Sequence, residues 1–143
     1  MTDNELVRGF EAASLPAFPH ADHVRLTILY LARHGRAETE RKLFDGLRRF
    51  AAAKGVPEKF HVTMTLAWID LVEDAGRQHP EALSAGDLVA ACPQLLDRDA
   101  LLQFYSPECL KSDEARRQWV PPDRAPRIQS MSPAARQTEI ERI

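Results

Sequence analysis

Glycines and prolines cut this chain into three stretches of helical length, and the residues between the cuts carry apolar side chains at helical spacing. Pro19, Gly35, Gly55 with Pro57, and Gly76 mark the boundaries. In the first stretch Val24, Ile28 and Leu31 recur at i, i+4 and i+7, the spacing of a buried stripe. His34-Gly35 is a sound stop, with glycine free to take the conformation that ends a helix. In the second stretch Leu43, Leu47, Phe50 and Ala51 form the inner face, ending at Gly55. Pro57 suits the first turn of the third stretch, whose two adjacent apolar rows mark it as the central helix (Phe60, Met64, Ala67 and Leu71 beside His61, Thr65, Trp68 and Val72). The spacing predicts helices over about 20–34, 37–54 and 57–75, running up, down and up.

Shorter pieces flank this core. A helix over 4–14 is expected, capped by Asp3 or Asn4, with Leu6, Phe10 and Ala13 on one side, before Pro16 and Pro19 break the chain. After His79-Pro80, Ser84 and Asp87 have the form of a capping box for a helix over about 86–96. Asp99 is placed to cap a helix through Phe104 and Tyr105, and Ser112 a last helix over 113–119 with acids at its start and Arg116 and Arg117 toward its end. No strand pattern or internal repeat stands out. The expectation is an all-α, single-domain bundle of about five or six helices over residues 1–125, followed by a polar tail, 126–143, mobile or weakly docked.

Composition narrows the function. A chain of 143 residues with 44% hydrophobic residues buries one core without staples. A net charge of −2 with scattered Lys and Arg favours neither nucleic acid nor an anionic membrane. No apolar run approaches the roughly 20 residues of a spanning helix, and Met1-Thr-Asp-Asn-Glu5 does not read as a signal peptide. A cytoplasmic protein is expected. Cys92 and Cys109 show neither metal spacing nor a nearby histidine, and no phosphate loop or dinucleotide fingerprint is present.

The chemistry-bearing residues are three histidines near the starts of the first and third stretches. His20 and His23 share a helix face that Thr27 continues; His61 and Thr65 share another, with Trp68 following. If both helices point the same way, the three rings meet at one end of the bundle. Helix N-termini and partial burial favour neutral imidazole, which binds metals or accepts protons. The expectation is a ligand pocket lined by His20, His23, Thr27, His61, Thr65 and Trp68. With Glu58 or Asp22 as a carboxylate ligand, His20, His23 and His61 would suit zinc or a similar transition metal. The alternative is a non-enzymatic protein-interaction module with structural histidines. A homodimer is compatible with either reading, and catalysis is left undecided.

Three motifs carry a likeness: Pro19-His20-x-x-His23-Val24-Arg25, Phe60-His61-x-Thr63-x-Thr65, and Ala115-Arg116-Arg117-x-Trp119-Val120-x-Pro122-Asp123. With the surrounding residues 10–125 they resemble a family of small, uncharacterised bacterial all-helical proteins. The resemblance implies that His20, His23, His61, Thr63 and Thr65 are motif positions, with Arg116 and Asp123 in a C-terminal motif; it names no activity. The family pattern carries an acid directly after the third histidine, where this chain has Val62.

Overall fold

Thr2, rather than Asp3 or Asn4, opens the first helix. Its hydroxyl accepts from the Glu5 amide while the Glu5 carboxylate accepts from the Thr2 amide, a reciprocal cap that starts α1 (Asp3–Glu11) one residue early. The computed structural model describes residues 1–124; the segment 126–143, read above as a polar tail, lies outside the described residues. Within 1–124 the chain is all-α, with α2 (His20–Ala53), α3 (Val62–Gln78), α4 (Ala85–Ala91), α5 (Pro107–Lys111) and α6 (Asp113–Arg117) following α1. Single 3₁₀ turns lie at Pro57–Lys59, Pro93–Leu96 and Ala100–Gln103. No helix among the described residues is long and apolar enough to cross a membrane.

The expected stop at Gly35 is a sharp bend inside α2. Gly35 takes φ 79° and ψ −179°, a conformation costly for any residue with a side chain. It folds α2 into two antiparallel arms, 20–34 and 36–53. Lys42 Nζ sits 5.8 Å from the Tyr30 ring near the bend. At the open end, Phe18 packs 5.7 Å from Phe50. The second arm then runs antiparallel to α3: Arg36 reaches Asp70 at 2.7 Å, and Phe44 meets Phe60 at 5.6 Å and packs with Val62 and Leu66. The first arm runs parallel to α3, with His20 against Trp68 and Val24 packed with Val72 and Ala75. The up-down-up core is therefore present, with α3 at its centre.

α1 closes over this core through Phe10. A Cβ on Gly46 would overlap the Phe10 ring, so the bare backbone of the second arm is what lets α1 approach. Beyond α3 the helices are shorter than their sequence patterns imply. The expected helix over 86–96 ends at Ala91, because Pro93 has no amide to continue it and Cys92 turns to φ −136°. Asp99 gives no side-chain cap, and Ala100–Gln103 is a single 3₁₀ turn. A helix not anticipated, α5, is opened by Ser106 as cap and Pro107 in its first turn.

Candidate functional site

His20, Thr27, His61, Thr65 and Trp68 are engaged in holding the fold. His61 lies outside helix α3 and caps it: Nδ1 accepts from the Met64 amide at 3.0 Å, and Nε2 donates to the Leu110 carbonyl at 2.7 Å. Both ring nitrogens are thereby used, and the proton sits on Nε2. Burial pushes its pKa below the usual value and the charge of Arg116 adds to this, opposed by the Leu110 carbonyl. The His20 ring packs 4.5 Å from that of Trp68, tilted by 60°, and its Nε2 donates to the Leu95 carbonyl at 2.9 Å, tying the first arm to the 3₁₀ turn after α4. Thr27 and Thr65 are buried and return their hydroxyls to carbonyls four residues back, those of His23 and His61. Trp68 is core.

His23 differs. It keeps part of its surface overall, but its Nε2 is buried without a hydrogen-bond partner, and its ring lies 5.4 Å from Phe18. Burial, and secondarily the neighbouring His20, push its pKa down to about 4.

The expected meeting of the three rings does not occur, and the reason is axial register. The two helices do point the same way. The start of the first arm, however, lies beside Trp68, seven residues into the chain after His61, which corresponds to a displacement of about 10 Å at the usual helical rise. Glu58 is exposed, and its backbone carbonyl is taken by Arg116 at 3.0 Å. Among the described residues no group of three or more His, Cys, Asp or Glu side chains could hold a metal ion. The metal set His20, His23, His61 and Glu58 is thus not assembled, and Thr27, Thr65 and Trp68 are buried in the packed core.

The motif residues interlock α3 with the C-terminal segment. Thr63, fully buried, donates to the Gln118 carbonyl at 2.8 Å and accepts from the Val120 amide at 3.2 Å. Tyr105 donates to the Val120 carbonyl, and Asp123 accepts from both the amide and the hydroxyl of Ser106. Arg116 adds a further tie, donating to the Glu58 carbonyl ahead of α3.

Two features escaped the sequence reading. The first is a charged cluster beside the Gly35 bend. Arg36 donates to Glu40 and Asp70 at 2.7 Å and to Glu73 at 3.1 Å. Asp70 is fully buried and Glu40 nearly so. The available signal was Asp70 itself, a single acid inside the run Ala67-Trp-Ile-Asp-Leu-Val72 of the central helix. Charges taken this far out of water persist only when paired and held in geometry. The second is a groove of about 530 Å³ between the first arm of α2, the C-terminal half of α3 and the segment leading into α4. Ile28, Leu31, Val72 and Leu88 give it an apolar floor, while Arg36 and Glu73 stand at one end. A Cβ on Gly35 or on Gly76, which face it from opposite walls, would meet nothing within 4 Å.

Comparison with known proteins adds no relative: no protein-family profile, curated protein or solved structure matches the chain.

Proposed function

We propose that this protein binds a small amphipathic molecule in the groove between α2, α3 and the 79–88 segment, and that its histidines serve the fold. The supporting observation is the coincidence of an apolar-floored groove with a charged end that is already locked in place. Its volume of about 530 Å³ falls in the usual range for small-ligand sites. Arg36 is held by Glu40 and Asp70 and in turn holds Glu73, so a ligand head would meet a polar end that needs no reordering. Gly76 adds to the case: it occupies a helical position where alanine would stabilise by about 0.5–1 kcal/mol and where space for a Cβ exists.

The rival reading, a protein-interaction module, draws on Leu83, 89% exposed on the groove's lip. A specific protein interface needs about 800 Å² per partner with clustered apolar anchors. Among the described residues only Met1, Leu83 and Leu96 are large exposed hydrophobics, which favours the small ligand.

Nile red, a neutral dye whose emission shifts to the blue in apolar surroundings, tests the proposal. It should bind saturably at one site. Gly76→Trp fills the groove from α3 and Ala32→Trp from α2; each should weaken binding by about tenfold or more, a loss of about 1.4 kcal/mol, with the circular dichroism spectrum and melting temperature retained. Absence of saturable binding, or undiminished binding to both well-folded variants, would overturn the proposal.

A further inference from the structure

We infer that the occupant of this groove is cationic: a hydrophobic amine, its apolar body on the Ile28–Leu31–Val72 floor and its ammonium group at Glu73. The inference rests on the groove being the ligand site and adds the charge of the ligand. Every arginine at the mouth is already held by a carboxylate. Arg25 pairs with Asp3 at 2.6 Å, Arg77 with Asp74 at 3.1 Å, and Arg36 with three acids. The far wall, residues 79–88, carries neither lysine nor arginine; His79 lines it and meets the exposed Glu81 at 3.1 Å. Taken over the arginine ion pairs, Asp3, Glu40, Asp70, Glu73 and Asp74 stand against Arg25, Arg36 and Arg77, five acids against three bases, with three of the acids on Arg36 at the charged end of the groove. An incoming carboxylate therefore meets guanidinium groups already engaged and a surplus of negative charge. An ammonium group meets Glu73, whose side chain is 29% exposed and so reachable from the groove while still shielded. Partial burial strengthens such a contact relative to one in open water.

The test uses three probes with one body and different heads, competing against Nile red at pH 7: 1-naphthylmethylamine, naphthalene-1-methanol and 1-naphthoate. At low salt the amine should displace the dye with an affinity about tenfold above that of naphthoate. The gap should shrink in 0.3 M salt. Glu73→Gln keeps an acceptor for Arg36 but removes the charge; it should bring amine and alcohol to within about twofold while leaving the alcohol's affinity in place. An amine no better than the alcohol, or a preference untouched by Glu73→Gln, overturns the inference and leaves the groove reading standing. Failure of all three probes to displace the dye, or of the dye to bind, overturns the groove reading itself.

Discussion

Acidification from about pH 6.5 to about pH 4 should cost this fold about 3 kcal/mol through His23 alone. The folded pKa is about 4 against an ordinary 6.5. Between these values the unfolded chain takes up a proton that the folded ring refuses. Stability is therefore full above about pH 6.5, falls as pH drops through the window, and levels below the folded pKa, with a slope approaching 1.36 kcal/mol per pH unit. The geometry supports the direction: Nε2 is buried with no acceptor, Phe18 covers the ring, and His20 is the titratable group facing it. His61 acts the same way, since protonating Nδ1 removes the cap on α3. Urea unfolding at intervals between pH 7.5 and 4.5 measures the slope, and His23→Leu should flatten it. Equal slopes for the two proteins would show that the buried ring does not set the acid limit.

His61→Ala should lower stability by about 2–3 kcal/mol without touching groove binding. Two losses combine. The Met64 amide at the start of α3 loses its cap, worth about 1 kcal/mol. The Leu110 carbonyl loses its donor in a partly buried setting, worth about 1–2 kcal/mol more. His61→Asn restores a cap but does not reach α5, so it should recover only the first part. Urea midpoints give the stability and Nile red titration gives the binding. Loss of dye binding with stability intact would return the site to the histidines.

How much of this was legible can be argued residue by residue. Gly35 and Gly55 announced the turns of the core because only glycine takes their positive φ cheaply. Alternating helix direction followed from the short connections. Axial register did not follow. Sequence periodicity says which face of a helix is buried but not how far one helix slides along its neighbour, and that offset of about two turns separates His20 from His61. The short helices past α3 were half visible: Ser84, Ser112 and Ser106-Pro107 were readable caps, whereas the break at Pro93 was passed over. The groove was invisible for a more basic reason. It is the space left among α2, α3 and α4, and Gly76 shows its meaning only once nothing is found where its side chain would stand. Asp70 was the exception, a buried acid among apolar neighbours that could have directed attention to the Arg36 end.

Amide chemical-shift mapping on isotope-labelled protein, titrated with 1-naphthylmethylamine, locates the ligand in the groove or at the histidines without any substitution. Saturating shifts are expected at Ala32, Gly35, Glu73, Gly76 and Leu83, with His61 through Met64 unmoved. Shifts centred on His20, His23 and Val62, or none that saturate, would contradict the groove reading.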